Sequence, residues 1–394
     1  MNDRRAMVFT VPERGHVHPL LGPAAALERA GYEVVWGTSA DIREDLRQAG
    51  ARHVLVPDGA GPPAAALRGR GLAETIADPA ALRGWIRALL VDAQRPLVPA
   101  YRAMLRDVRP DVVAIDTMVY AAAIAAQLEG IPWVGWSTSL NPVVPSTLRS
   151  ELISTLHALD PLRHGLFEEH GLTARFAVSD VLSPRGTAVF TTKALVPSVD
   201  DDTVSLVGPS RGGIRGGTMP ELPSDERPVV YVSFGSQAWY QPARFDRIIE
   251  AVQGLELTLV AAMGELAPSY RARRLAAAVH CEQYVDQPAV LERADVLITH
   301  GGANSVMESL AAGVPMLLAP LCNDQPHNRA LVERSGSGRG LDLETASVPR
   351  IRAMLARLIA ADGPERRAAK TIAHSYRAHD GAAGAAALAM RAAQ

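Results

Sequence analysis

Short apolar runs alternate with segments of helical period along most of the chain. Ala6–Val11 is a mostly apolar run that reads as a strand. Leu20–Ala30 repeats its apolar residues at helical spacing and stops at Gly31. Glu33–Gly37 is again strand-like, followed by a helical stretch that reaches Gln48 and closes at Gly50. His53–Val56, Asp111–Ile115, Trp133–Trp136 and Ala188–Thr191 continue the series, with alanine-rich helices between several of them. Strands separated by helices form parallel sheets covered on both faces. Two longer stretches, 63–106 and 142–177, are more helical and interrupt the alternation, as substrate-contacting insertions do in α/β enzymes.

The pattern breaks between Val207 and Pro228, where glycine, proline and charge accumulate, and then restarts. Val229–Phe234, Leu257–Ala262, Val279–Val285, Asp295–Thr299 and Pro315–Ala319 read as buried strands. Helical patterns near Arg244–Val252, Ala289–Arg293, Ser305–Ala312 and Asn328–Arg334 separate them, and three more helices run from Val348 to Ala393. The expected architecture is α/β, with two doubly wound parallel-sheet, Rossmann-like domains facing across a cleft. Residues 1–210 form the first domain, 211–227 a linker and 228–375 the second domain, and a terminal helix in 376–394 packs back on the first. A length of 394 residues agrees with two cores rather than one.

Composition excludes more than it selects. Hydrophobic content of 48% and charged content of 21% are those of a globular chain, which leaves no room for extensive disorder. Forty basic and 42 acidic residues are interspersed for a formal net charge of −2, so no nucleic-acid footprint shows in bulk. Lysine occurs only at Lys193 and Lys370. Cys281 and Cys322 lack a CxxC or histidine partner and read as buried free thiols of a reducing compartment. Met1–Val11 is too short to span a bilayer and has no cleavage site. No other segment approaches the roughly 20 apolar residues a membrane helix needs, so the expectation is a cytoplasmic protein without a membrane partner.

Three segments carry the candidate chemistry. In Thr299-His-Gly-Gly-Ala-Asn-Ser-Val-Met-Glu308 a strand ends at Thr299 and a helix begins near Asn304 or Ser305. Gly301 and Gly302 admit a close ligand, and a helix start presents free N–H groups to an anion. His300, Asn304 and Ser305 add donors suited to a diphosphate, and Glu308, one turn on, could meet ribose hydroxyls. Asn304 and Ser305 equally suit N-caps. Asn323-Asp324-Gln325 follows the strand Pro315–Ala319, where a carboxylate and an amide can bind adjacent sugar hydroxyls or cap the next helix. His327 reads as a surface or helix histidine. In Arg14-Gly-His-Val-His-Pro19, after the first strand, His16 is favoured as a general base over His18, which precedes a proline that opens the helix. Asp116, at the end of its strand, can orient that histidine; Asp111 starts the same strand and lies at the other edge of the sheet.

Together these segments resemble nucleotide-sugar-dependent glycosyltransferases of the GT-B fold. The inverting branch of bacterial natural-product enzymes and plant small-molecule transferases is the relevant one, and bacterial macrolide glycosyltransferases look most similar. The resemblance runs from Gly15-His16 and Pro19 through Asp116 and is strongest from Val230 to Gln325. It implies that His16 is the base and Asp116 its orienting partner. Ser236 of the Ser-Phe-Gly-Ser turn, His300, Gly302, Asn304, Ser305 and Glu308 match nucleotide-binding positions. Asp324 and Gln325 match donor-sugar contacts, and Thr138 a position near sugar and phosphate. Where the family often has Trp-x-Pro-Gln, with the Trp stacking on the base and the Gln contacting the nucleotide, this chain has Tyr284-Val-Asp-Gln287; the resemblance makes Gln287 a nucleotide contact, and Tyr284 can still stack on the base. Ala303 stands where the plant pattern has tryptophan. Asp200-Asp201-Asp202 reads as a solvated loop rather than a metal motif.

The implied reaction moves a sugar from a UDP- or dTDP-sugar to a hydroxyl of a small hydrophobic acceptor, with inversion and without a metal or cofactor. Apolar Trp85, Trp136 and Leu140 are candidates for the acceptor pocket. A hinge near 212–217 allows the domains to close. The resemblance leaves the chain a monomer or homodimer. A sugar-nucleotide epimerase or hydrolase, and a non-catalytic partner of a transferase, are the competing classes.

Overall fold

The computed structural model describes residues 4–47, 53–57, 67–211, 217–222, 227–273, 275 and 278–394. Two compact units divide the chain: residues 1–66, 78–214 and 379–394 form one, and 67–77 with 215–378 the other. Strands in the first unit are β1 (Arg5–Phe9), β2 (Glu33–Gly37), β3 (His53–Leu55), β4 (Val112–Asp116), β5 (Trp133–Ser137), β6 (Arg175–Ala177), β7 (Asp180–Leu182), β8 (Thr187–Val189) and β9 (Val204–Leu206). Its helices are α1 (Arg14–Arg29), α2 (Arg43–Arg47), α4 (Pro79–Arg87), α5 (Leu97–Val108), α6 (Tyr120–Leu128), α7 (Glu151–Glu168) and α15 (Gly381–Ala392). The second unit holds β10 (Val229–Ser233), β11 (Thr258–Ala262), β12 (Val279–Glu282), β13 (Val296–Thr299), β14 (Met316–Leu318) and β15 (Gly338–Gly340). Around them lie α3 (Gly69–Ala77), α8 (Pro242–Val252), α9 (Ala267–Arg271), α10 (Gln287–Leu291), α11 (Ala303–Ala312), α12 (Gln325–Ser335), α13 (Val348–Ile359) and α14 (Pro364–Arg377).

Each unit is built on a wholly parallel sheet. The first runs in the order β3-β2-β1-β4-β5-β8-β9 and the second β12-β11-β10-β13-β14-β15. β4, β5 and β10 are buried at all five positions, as strands with helices on both faces must be. α6 buries Tyr120 to Ala126 without interruption, which its alanines permit by packing at short range. The sheet order reverses between β1 and β4 in one unit and between β10 and β13 in the other. Loops at the carboxyl ends of such neighbouring strands leave a crevice, the usual ligand position of doubly wound sheets. The β6–β7 hairpin is antiparallel and stands apart from both sheets.

Several boundaries differ from the sequence reading. Residues 67–77, assigned to the first domain by continuity, belong to the second unit. The Gly69 amide donates to Gln237 O at 2.7 Å, Arg70 lies over the Tyr240 ring at 4.8 Å, and a Cβ on Gly69 would meet Trp239 at 2.5 Å. Part of the expected linker is likewise built into that unit: the Thr218 amide donates to Tyr284 O at 3.1 Å, and the Asp286 amide to Thr218 O at 3.2 Å. Linker residues 212–216 and 223–226, with most of the proposed hinge, lie outside the described residues, as do 63–66 of the first helical stretch. α15 belongs to the first unit, where it contacts α1, β4 and β5. β6, β7, β9 and β15, three residues each, had no clear sequence signal. Asp201 accepts from the Thr203 amide at 2.8 Å and pairs with Arg175 at 3.0 Å, a capped turn. Cys281 and Cys322 are buried and free. No helix among the described residues is long and apolar enough to cross a membrane.

Candidate active site

In the first unit the chain leaves β1 at Phe9 and enters α1 at Arg14, with Glu13 at the cap in extended conformation. His16 therefore sits on the first helical turn, and Pro19, expected to open the helix, lies inside it with Pro23. Each proline lacks an amide donor and its ring crowds the carbonyl four residues earlier, a cost that the packing of this largely buried helix offsets. β4 ends at Asp116, which is fully buried. His16 Nδ1 is 2.7 Å from Asp116 Oδ2 and 2.8 Å from Thr138 Oγ1. Asp116 Oδ2 also accepts from the Val11 amide at 3.4 Å and Thr10 Oγ1 at 3.5 Å. Its Oδ1 accepts from the Met118 amide at 3.2 Å and Thr138 Oγ1 at 3.5 Å. A carboxylate beside Nδ1 holds the hydrogen on that nitrogen, so the lone pair of the neutral ring is on Nε2 and can accept a proton. Thr138, expected near the sugar and phosphate, binds the imidazole. Asp111 accepts from the Arg5 amide at 2.8 Å, at the amino end of β4.

In the second unit α11 starts at Ala303, with Gly302 as its cap. Asn304 and Ser305 lie inside the first turn, so neither is the N-cap that its residue type suggested. The turn from β13 to α11 brings His300 between two glycines. A Cβ on Gly235 would lie 2.9 Å from His300 Nε2, and one on Gly302 would lie 2.8 Å from it. Gly235 also has φ 81°, a region that side-chain-bearing residues rarely adopt. Burial pushes the His300 imidazolium down to about 4, against a hydrogen bond to the Ser233 backbone and with the charge of Arg244 assisting. The ring is therefore neutral near pH 7 and acts as a hydrogen-bond donor or acceptor, not as the cation that a charge-neutralising role would require. Ser236 is exposed in the turn after β10.

Glu308, half-buried on α11, receives Gln287 Nε2 at 2.7 Å. The same amide nitrogen is 3.3 Å from Ser305 Oγ, and Gln287 Oε1 accepts from the Tyr231 hydroxyl at 3.1 Å. Gln287, read from sequence as a nucleotide contact, is thus committed to orienting Glu308 and Ser305. Tyr231 was missed, although a tyrosine inside a five-residue buried strand must find a partner for its hydroxyl. Tyr284 is half-buried beyond β12, and its carbonyl accepts from Thr218.

The Asn323–Gln325 segment divides. Asn323 takes a left-handed conformation with φ 54°. Asp324 accepts from Asn328 Nδ2 at 2.8 Å, and that amide also donates to Gly301 O at 2.9 Å. The link ties the turn before α12 to the glycine turn before α11. Gln325 Oε1 accepts from the Leu321 and Cys322 amides at 2.7 and 3.1 Å, so its carbonyl oxygen serves the turn rather than an incoming hydroxyl. His327, read as a surface or helix histidine, is on α12 but fully buried, and burial lowers its pKa to about 4.

The acceptor candidates fare differently. Trp136 is fully buried on β5, an internal strand, and its Nε1 donates to Ala385 O of α15 at 3.2 Å. Leu140 is also fully buried. Trp136 belongs to the core, because β5 has β4 and β8 beside it and α15 over it. Trp85 is half-buried on α4.

Residues 221–364 match the family described as UDP-glucoronosyl and UDP-glucosyl transferase. The chain is 26% identical to the NDP-glycosyltransferase YjiC of Bacillus licheniformis, over 89% of this chain and 88% of that protein. It is 27% identical to an oleandomycin glycosyltransferase of Streptomyces antibioticus, over 91% and 83% of the two. Among solved structures, the glycotransferase of kitacinnamycin covers both chains completely, with TM-score 0.82 and 28% identity. With both sheets doubly wound and both candidate clusters at points where the strand order reverses, these likenesses identify the chain as a glycosyltransferase of the GT-B fold, similar to natural-product glycosyltransferases.

Proposed function

We propose that the chain transfers a hexose from a UDP- or dTDP-sugar to a hydroxyl of a small hydrophobic natural product, with inversion at the anomeric carbon. The observation that carries this reading is His16 Nδ1 at 2.7 Å from the buried Asp116 carboxylate. His16 Nε2 takes the acceptor proton, and Asp116 stabilises the imidazolium that forms, an arrangement worth roughly 10²–10⁴ in rate. The start of α11 and neutral His300 donate hydrogen bonds to the departing diphosphate, so the mechanism needs no metal or cofactor. Glu308, held by Gln287, takes the ribose hydroxyls, Tyr284 stacks on the base, and Asp324 binds the donor sugar. A single displacement converts an α-linked donor into a β-linked product. Similarity to an oleandomycin glycosyltransferase supports a natural-product acceptor. Action in the cytoplasm, as a monomer or homodimer, fits this reading.

The test compares wild type with His16→Ala, using UDP-glucose and dTDP-glucose against a panel of hydroxylated macrolides and phenols. Product is read by chromatography and its anomer by NMR. The expected result is a β-linked product in wild type, loss of at least 100-fold in the variant, and nucleotide affinity within a few-fold. Near wild-type transfer by His16→Ala overturns the base. Free sugar or an epimer released at full rate without acceptor overturns the transferase reaction in favour of a hydrolase or epimerase.

A further inference from the structure

Asp180 is a fully buried carboxylate outside the proposed reaction. It opens β7, and its partners are neutral. Thr117 Oγ1 and Ser137 Oγ each donate to Oδ2 at 2.6 Å. Ser139 Oγ lies 3.1 and 3.2 Å from the two oxygens, Ser179 Oγ 3.1 Å from Oδ1, and Asn141 Nδ2 3.3 Å from Oδ1. Burying a carboxylate among hydroxyls, without a bonded cation, is costly. Burial pushes its pKa up, the hydroxyls oppose this, and the charge of Asp116 adds to the rise. An apolar side chain would fill the same space without that penalty, so the cost calls for a function.

The partners indicate which function. Thr117 follows Asp116, and Ser137 and Ser139 flank Thr138; Asp116 and Thr138 both touch His16 Nδ1. Thr117 is held a second time, because the Val181 amide donates to its carbonyl at 2.9 Å. The turn that delivers Asp180 is itself forced. Val178 has φ 55°, a left-handed conformation that a β-branched residue rarely adopts. Its carbonyl receives Arg163 Nη1 at 2.6 Å, and the Ser179 carbonyl receives the Tyr120 hydroxyl at 2.5 Å. Arg163 and Tyr120 are buried, so both carbonyls of the strained turn are clamped from the core.

We infer that Asp180 is a positioning residue for the His16 base: it ties the segment after β4 to the segment after β5 and thereby fixes Asp116 and Thr138 against one imidazole nitrogen. The inference rests on the reading of His16 as the base, but it is tested on the imidazole itself. In ¹⁵N-labelled protein the His16 signals, assigned by their loss in His16→Gln, report which ring nitrogen carries the hydrogen. In wild type the Nδ1–H form dominates the neutral ring. In Asp180→Asn and in Thr117→Val its share falls towards the mixture of free imidazole, in which Nε2–H prevails. Transfer assays on the same variants show kcat lower by roughly 10–100-fold, the scale of a small misplacement of a catalytic group, with donor KM within twofold. A purely structural Asp180 lowers the melting temperature and leaves the tautomer and kcat at wild-type values, and that result overturns the inference. If Asp180→Asn does not fold, Thr117→Val and Ser137→Ala, each deleting one 2.6 Å contact, decide by the same tautomer measurement. Failure of His16 as base shows separately, as unchanged transfer in His16→Ala.

Discussion

Replacing Asp116 by asparagine keeps the shape of the side chain, removes its charge and turns one acceptor oxygen into a donor. Neither placement of the amide fits. With nitrogen in the place of Oδ2 it faces His16 Nδ1 and the Val11 amide, 2.7 and 3.4 Å from that oxygen. The imidazole must then accept at Nδ1, carry its hydrogen on Nε2 and cease to be a base. With nitrogen in the place of Oδ1 it faces the Met118 amide, and the ring keeps its tautomer but loses the anion that stabilises the imidazolium. A hydrogen bond to a charged group is worth about 1.5–3 kcal/mol and a neutral one about 0.5–1.5 kcal/mol. A unit charge near 4 Å adds up to about 4 kcal/mol at the effective dielectric of protein sites. Asp116 is fully buried, so solvent screens little of this. About 3–4 kcal/mol of lost transition-state stabilisation corresponds to a kcat lower by roughly 10²–10³. The assay is the initial rate with donor and acceptor both saturating, alongside calorimetric titration with UDP and dTDP. Nucleotide affinity should hold within twofold, since Asp116 and the α11 turn are in different units. A folded Asp116→Asn protein that keeps kcat within tenfold refutes the reasoning.

Gln287→Glu puts a second carboxylate where an amide now donates to Glu308 at 2.7 Å, and we expect nucleotide affinity to fall roughly 10–50-fold by calorimetry. Unchanged affinity would show that Glu308 does not act in nucleotide binding. Trp136→Phe loses the bond to Ala385 O, a carbonyl that keeps its intrahelical donor, and leaves a void in the core; stability should drop by about 1–3 kcal/mol in denaturant titration while acceptor KM stays constant. A large change in acceptor KM with no loss of stability would return Trp136 to the acceptor pocket. His327 titrates near 4 folded and near 6.5 unfolded, so the unfolded chain binds the extra proton between these values. Its contribution therefore falls as pH drops from about 6.5 to about 4, by about 3 kcal/mol, and His300 acts in the same direction. Across that window wild type should lose more stability than His327→Gln in urea titrations, and parallel losses would contradict the buried, neutral state.

The parallel sheets were legible in the sequence because a strand covered on both faces needs an unbroken apolar run, and runs such as Val229–Ser233 are their own signal. The glycine turn before α11 was legible for a similar reason, since close approach to a backbone restricts residue type locally. Asp116 could be named as the partner of His16 because both follow apolar strands, although only the sheet order β1–β4 joins residues 100 apart. Other assignments depended wholly on tertiary contacts. Nothing local distinguishes Trp136, a core residue bonded to α15, from a tryptophan on a pocket wall. Nor does local sequence show that Gln287 serves Glu308, that residues 67–77 join the second unit, or that Asp180 binds Thr117 next to Asp116. Periodicity reports which face of one element is buried and is set by neighbours a few residues away. What that face touches is decided by strand order and helix packing, which pair residues from distant parts of the chain.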